Sequence, residues 1–536
     1  MFKGKVVRAI MLISTWAATA VSAQNTESLS FPKDQFTIET KIVKTSNGEK
    51  KVTYKSYMHI PYVANPVDKD YQSMNVSVPT QVDGIRIETS NAPILFVIGV
   101  GGYMSVNNAK GGGFGPGGPG GAGPGGMRPN GPPPGAGGPP MNGGAPGGRT
   151  AGSAGPIGGG PGGNSKTSGK ADLALAAGYV VVTPGCRGRD NVTSDGKYYG
   201  KAPAAIVDLK AAVRYIRHNK GVLPGNTDRI VSTGVSAGGA MSALLGASGN
   251  SPLYDTYLKE IGAADADDNI FATAAFCPIT DLEHADGAYE WMYGAFPVGT
   301  SGLVDQQISK ELRALYGQYQ ASLNLKGKEN FGTITADNYA QYLLKSALIP
   351  SANKYLKNLT EEKRRQYLEN NKWITWKNGA VNFSFADFVA HVGRMKSMPA
   401  FDNFDLTSAE TIEFGNKTVN ARHFTDYSLQ HTAGNKTVKV DEEVTLAVHL
   451  LNAMYFIGQK NEGCVKYWWL RQGTSDAHTS QTVMANLAAC LENNQKEVDS
   501  ALYWDAGHGA DQDPEEFITW MGKISGFSKK TDAVKK

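Results

Sequence analysis

The sequence predicts an α/β architecture, with a mostly parallel central sheet, flanking helices and one large helical insertion. Three observations predict it. Short apolar, β-branched runs alternate with helical stretches, as crossover-connected parallel strands require. One run enters a Gly-x-Ser-x-Gly turn and leaves it into small, helix-compatible residues. Between about residue 291 and residue 440 the pattern changes to helices rich in tyrosine and charge. The chain has 536 residues, 41% hydrophobic and 19% charged, with four cysteines, enough to bury a core without disulfide staples. A disulfide-rich mini-protein and a wholly disordered chain are excluded. Of the net charge of +4, three units come from Lys3, Lys5 and Arg8, so no basic surface for nucleic acid is expected.

Taken in chain order, residues 1–23 run from those basic residues through an apolar stretch, Ala9 to Val21, to Val21-Ser22-Ala23, the small-residue pattern of a signal peptide cleaved after Ala23. The apolar stretch is shorter than the roughly 20 residues of a membrane span. The expectation is therefore a secreted or periplasmic protein with no membrane anchor. Residues 24–290 should form the first part of the core. Within them, residues 111–163 hold 26 of the 64 glycines and 12 of the 26 prolines, a composition that cannot pack a core. Strands are expected at Ile94 to Val100, Tyr179 to Thr183, Arg229 to Val235 and Phe271 to Pro278. A helix is expected from Pro203 to His218, because Ile206, Leu209, Ala212, Val213 and Ile216 form one apolar stripe. Asp265, Asp267 and Asp268 lack the glycine and distal glutamate of a calcium loop and read as a solvated turn.

Residues 291–440 are expected to form a lid domain, with helices at Leu303 to Leu323 and Glu361 to Asn370. Residues 441–536 should complete the core, with a helix from Val444 to Ile457 capped by Asp441. Strands at Val465 to Arg471 and Ala501 to Trp504 and a helix from Pro514 to Ile524 follow. Cys186, Cys277, Cys464 and Cys490 form no CxxC pair, so no metal site is indicated, and their pairing stays open.

The run Arg229-Ile-Val-Ser-Thr-Gly234-Val235-Ser236-Ala237-Gly238 is a strand entering a tight turn before a helix. A serine in such an elbow projects its hydroxyl above the sheet, and only very small residues two positions either side let strand and helix pass so closely. In this α/β-hydrolase arrangement the acid and then the histidine follow the serine, at the ends of later strands. That order leaves His478 and His508 among nine histidines, and His508, directly after the last strand, is the expected base. Asp476 is the expected acid, with Asp505 as its rival. The amide of Ala237 and one from the loop Gly99-Val-Gly101-Gly102-Tyr103, most simply that of Gly102, are the candidate oxyanion donors.

With these residues in place the chain resembles the bacterial tannases, serine esterases of the α/β-hydrolase fold that cleave galloyl esters. The resemblance is carried by Val100-Gly-Gly-Tyr-Met104, Gly234-Val-Ser-Ala-Gly238, Ala288-Tyr-Glu-Trp291, Arg394-Met-Lys396 to Phe414-Gly415, and Gly473-Thr-Ser-Asp476 with His508. It implies that a lid lysine and glutamate, matched by Lys396 and Glu410, bind the phenolic hydroxyls of the galloyl ring. A cation facing a carboxylate offers donors and acceptors that a plain benzoate cannot use. The family's further aspartate, two residues after the catalytic acid, is His478 here, which can make one hydrogen bond without a fixed negative charge.

The expected activity is therefore hydrolysis of galloyl esters, small or polymeric, to gallic acid through an acyl-serine intermediate, with no metal or organic cofactor. The alternatives are a feruloyl or general carboxylesterase using the same three residues and, from another class, a non-catalytic polyphenol-binding protein. The 111–163 segment follows the expected oxyanion loop and reads as a tolerated loop, or as proline faces that hold polymeric tannin.

Overall fold

A computed structural model describes residues 28–108 and 168–527 of the chain. The signal segment expected at 1–23 and the glycine- and proline-rich segment at 111–163 lie outside the described residues. A ten-stranded sheet is built from β1 (Thr37–Thr45), β2 (Gly48–Pro61), β3 (Ser73–Val82), β4 (Ile85–Arg86), β5 (Ile94–Ile98), β6 (Val180–Pro184), β7 (Ile230–Val235), β8 (Ala272–Phe276), β9 (Tyr467–Gly473) and β10 (Glu497–Tyr503). Their spatial order is β1-β2-β3-β6-β5-β7-β8-β9-β10, with β4 paired on β3. The pairs among β1, β2, β3 and β6 are antiparallel. From β6 through β5, β7, β8 and β9 to β10 every pair is parallel. This is the mixed, mostly parallel sheet of an α/β-hydrolase.

The central strands are apolar throughout because helices cover both faces: all five residues of β5 and of β8 are buried. The helix Ala204–His218 lays its stripe against the sheet. It also carries Lys210, whose ammonium is fully buried and bonds Asp268 at 2.7 Å and the Ser248 carbonyl at 2.8 Å. Asp268 is thus a buried partner rather than part of a solvated turn, while Asp265 and Asp267 are exposed as expected. A buried ammonium demands a carboxylate in contact, and Asp268 meets that demand.

Two expected elements change shape. The helix read from Val444 to Ile457 is two, Glu442–Leu450 and Ala453–Gly458. Asp441 caps the first through the Val444 amide, and Asn452 caps the second through the Met454 amide. The last strand begins at Glu497, four residues before its apolar run, because it is a half-buried edge strand. Between β8 and β9 the chain forms helices including Gln306–Leu323, Ile349–Asn358, Glu361–Asn370 and Phe385–Val392, with two small hairpins. Glu361–Asn370 buries none of its residues, consistent with its charge. All four cysteines are free and buried. Among the described residues no helix is long and apolar enough to cross a membrane.

Candidate active site

Ser236 stands between β7 and the helix Ala237–Ala247 at φ 61° and ψ −123°. That conformation is costly for a residue with a side chain and is imposed by its surroundings. Its amide donates to the Phe276 carbonyl at 3.0 Å, and its carbonyl accepts from the Ala240 amide at 2.9 Å. The flanking glycines are obligatory. A Cβ on Gly234 would lie 2.2 Å from the Gly238 carbonyl oxygen, and one on Gly238 would lie 2.7 Å from that of Val100.

β9 ends at Gly473, and Asp476 follows three residues later, fully buried. Its Oδ2 lies 3.0 Å from His508 Nδ1, and its Oδ1 accepts the His478 amide at 3.0 Å. Burial alone would raise the Asp476 pKa, but the hydrogen bond and charge of His508 hold it below the ordinary carboxylate value. His508 is affected oppositely: burial lowers its pKa, while the Asp476 bond and a contact with the Cys277 thiol lift it to about 10. The rival acid, Asp505, is engaged elsewhere. It binds His391 Nε2 at 2.7 Å and accepts from the Tyr367 hydroxyl at 2.6 Å, both from the segment between β8 and β9. Among the described residues Ser236 Oγ makes no hydrogen bond to His508. Such bonds are often long without substrate and tighten in the reacting complex.

One cavity of about 390 Å³ is lined by Gly102, Ser236, Lys396, Glu410 and His478 together. His508 stands behind its wall, with its ring stacked on His478 at 4.1 Å between centroids. Burial and the neighbouring His508 push His478 down to about 4, so its imidazole is neutral across the physiological range. Ala237 is 1% exposed at the start of the elbow helix. The Lys396 ammonium lies 3.6 Å from the centre of the Phe401 ring. Burial lowers its pKa against the charges of Glu410, Asp286 and Asp476. Glu410 is itself buried in the first turn of Ala409–Glu413, which Ser408 caps.

Several residues that sequence reasoning gave no separate role hold this cavity together. The Tyr289 hydroxyl donates to the Ala477 carbonyl at 3.0 Å and accepts the Lys396 amide at 3.0 Å, tying the acid loop to the lysine segment. Arg394 forms a fully buried pair with Glu290 and donates from Nε to the Lys396 carbonyl at 2.8 Å. Their motifs were visible, but not the contact between them. Cys277 left no signal beyond its residue type. It sits at the end of β8 with a positive φ of 46°, where its sulfur accepts the Gly509 amide at 3.3 Å. Ligand atoms of Cys277, Asp476 and His508 lie within 4.8 Å of one another, and these are the described residues able to hold a metal ion. Their hydrogen bonding already suits an acid–imidazole pair, and the chemistry below requires no metal.

A family model described as BD-FAE, an α/β-hydrolase family, matches residues 158–315. Over 90 residues, 17% of this chain and about one fifth of the relative's length, the sequence is 36% identical to "Esterase LipQ" of Mycobacterium tuberculosis. The chain is similar to the tannase of Fusobacterium nucleatum, with 34% identity and a TM-score of 0.72, covering 93% of this chain and 99% of that one. It is likewise similar to the tannase of Lactobacillus plantarum, with 29% identity, a TM-score of 0.73, and coverage of 93% and 100%. A tannin acyl hydrolase solved in complex with ethyl gallate matches at 30% identity and a TM-score of 0.72, over 93% and 99% of the two chains. An elbow serine, an aspartate–histidine pair and near-complete overlap with these structures lead to one assignment: the chain is a hydrolytic esterase that belongs to the tannase family of α/β-hydrolases.

Proposed function

We propose that this esterase is exported and hydrolyses galloyl esters of tannins or simple alcohols to gallic acid, through an acyl intermediate on Ser236. The observation that carries the reading is the shared cavity, lined by Ser236, Lys396, Glu410 and His478 together, with His478 stacked on the His508 of the Asp476–His508 pair. In this reading the galloyl ring enters the cavity with its hydroxyls between the Lys396 ammonium and the Glu410 carboxylate. A phenol can donate to the carboxylate and accept from the ammonium, and each charged hydrogen bond favours a hydroxylated ring over a bare one.

The chemistry then follows from the side chains. Neutral His508 takes the Ser236 proton as Oγ attacks the ester carbon. Asp476 keeps the proton of His508 on Nδ1 and stabilises the imidazolium without being protonated itself. The charge on the former carbonyl oxygen is met by backbone amides, for which Ala237 and the Gly102 loop are the candidates. Protonated His508 hands its proton to the leaving alkoxide. Now neutral, it deprotonates a water that attacks the acyl-Ser236 ester, and as that adduct collapses it returns the proton to Oγ, releasing gallic acid and regenerating the serine.

Export rests on the signal-like segment that would be cleaved after Ala23, and residues 291–440 are assigned as a lid over the cavity. One observation favours a broader range of acyl groups: neutral His478 at the cavity wall brings no fixed negative charge, so esters of less hydroxylated rings, including feruloyl esters, remain candidate substrates. The test compares wild type with Ser236→Ala on methyl gallate, methyl ferulate and a short acyl ester. Gallic acid release by wild type alone, with gallate preferred, supports the reading. Equal rates on all three would replace it with a general carboxylesterase, and binding without turnover would leave a polyphenol-binding protein.

A further inference from the structure

The loop expected to supply an oxyanion donor is a tight turn. The Met104 amide donates to the Gly101 carbonyl at 3.0 Å, and both central residues, Gly102 and Tyr103, have positive φ, at 53° and 59°. These are the angles of a type I′ turn. Such a turn has a near neighbour in conformational space, type II′, reached by rotating the central peptide by about half a turn. The rotation exchanges the positions of the Gly102 carbonyl and the Tyr103 amide, because the peptide is planar and trans. Gly102 lines the cavity beside Ser236. The orientation of this peptide therefore decides whether the loop offers the ester oxygen a donor edge or a repelling carbonyl.

We propose that Arg189 is the positioning residue that fixes this peptide, an inference that rests on Ser236 being the nucleophile. Arg189 Nε donates to the Gly102 carbonyl at 2.7 Å, and the Arg189 amide donates to the Tyr103 carbonyl at 2.9 Å. One residue thus holds two consecutive carbonyls of the turn from the same strap of chain. With the Gly102 carbonyl committed to the guanidinium, the opposite edge of that peptide is the Tyr103 N–H, which in this proposal replaces the Gly102 amide as the donor the loop offers. The strap is itself fixed. A Cβ on Gly188 would lie 2.2 Å from the Ser105 nitrogen, so the two segments touch backbone to backbone. Asp190 accepts the Ser105 amide at 2.7 Å and the Ser105 hydroxyl at 2.8 Å. Lys201 Nζ donates to the Arg189 carbonyl at 2.8 Å. On the far side, the Tyr103 hydroxyl donates to the Ile279 carbonyl at 2.7 Å, pinning the turn to the loop after β8. Arg189 touches neither nucleophile nor base and acts through the turn.

The experiment uses Arg189→Met and Arg189→Lys with the full-length protein. It measures kcat and KM on methyl gallate and the second-order rate of Ser236 labelling by a fluorophosphonate, whose phosphoryl oxygen uses the same donors. Rates are expressed per titratable serine, so misfolded protein does not count. Loss of a single oxyanion donor costs about 10²- to 10³-fold in kcat, and loss of its support should cost about 10- to 100-fold. The expected result for Arg189→Met is that fall in kcat and in labelling rate together, KM changed less than about threefold, and partial recovery in Arg189→Lys. Unchanged kcat and labelling, or a rise in KM alone, overturns the assignment. Labelling or turnover that persists in Ser236→Ala would instead overturn the nucleophile, which separates the two failures.

Discussion

Replacing Asp476 with asparagine removes one charge and almost no volume from the buried side of His508. The carboxylate accepts from the imidazole through Oδ2 and from the His478 amide through Oδ1, with Gln472 also facing Oδ2 at 3.5 Å. Asparagine has a single acceptor oxygen. If it keeps the His478 amide, its NH2 group faces His508, whose Nδ1 must then accept. The ring proton moves to Nε2, and the nitrogen that should take the serine proton is occupied. In a triad this change of tautomer costs about 10⁴ in kcat, or about 5.5 kcal/mol of barrier. KM should change little, because Asp476 is fully buried and does not meet the substrate. A second readout has a defined sign. The carboxylate stabilises the imidazolium and, with the Cys277 thiol, lifts His508 to about 10 against the opposing effect of burial. Activity needs the neutral ring, so the acid limb of kcat/KM in wild type should lie on the alkaline side of a free imidazole, and the residual activity of Asp476→Asn should titrate at lower pH. The assay is gallate release from methyl gallate across pH, with Ser236→Ala as the floor. Asp505→Asn is the control, since that carboxylate serves His391 and Tyr367 and should cost only a few-fold. A loss under tenfold for Asp476→Asn, or an equal loss for Asp505→Asn, refutes the assignment of the acid.

Lys396→Ala and Glu410→Ala should each lower kcat/KM on methyl gallate by about 10- to 100-fold, the worth of a charged hydrogen bond, while leaving hydrolysis of a short aliphatic ester within a few-fold; a uniform loss on both esters would contradict ring recognition. Gly234→Ala should destabilise the fold by about 3 kcal/mol or more in chemical denaturation and abolish activity, because its methyl would meet backbone 2.2 Å away. Gly101→Ala, which meets nothing within 4 Å, should do neither. Glu413 is buried with one unpartnered carboxylate oxygen, and burial, only partly offset by Lys201 and Arg189, pushes its pKa up to about 8. A raised value means its contribution to stability is complete at acid pH and is lost progressively as pH rises from the ordinary carboxyl value of about 4.5 to about 8, so the melting temperature of Glu413→Gln should gain on that of wild type from pH 5 to pH 8 and level off above. A difference that does not change with pH would show that Glu413 does not titrate in this range.

What the sequence disclosed, and what it withheld, follows from where each signal resides. β5, β7 and β8 are buried on both faces, so their apolar runs mark them within a residue or two. β1 to β3 passed unread because they mix apolar with polar and charged residues, and β1 is the edge strand. In β1 only Val43 is buried, while Ile38 and Ile42 face solvent among lysines, and no simple alternation survives. The break at Leu451 and Asn452 was hidden because the apolar spacing continues across it, and only the cap of Asn452 on Met454 marks the second start. At the site, the elbow is a local device and its glycines announce it. Asp476 and His508 could be ordered along the chain from the strands they follow, but only packing separates Asp476 from Asp505, since the latter is claimed by His391 and Tyr367. Residues that act by bridging distant segments left no pattern to read. Tyr289 joins Ala477 to Lys396, Arg189 reaches back 87 positions to Gly102, and Cys277 meets the loop of His508, each by a tertiary contact.

In the proposed reaction Ser236 carries the acyl group. Rapid acid quenching of the protein mixed with methyl gallate, followed by peptide mass spectrometry, tests it most directly. A single galloyl adduct is expected on the peptide containing Ser236, present in wild type and absent from Ser236→Ala. Gallate turnover that persists undiminished in Ser236→Ala, or an adduct on another side chain, would contradict it.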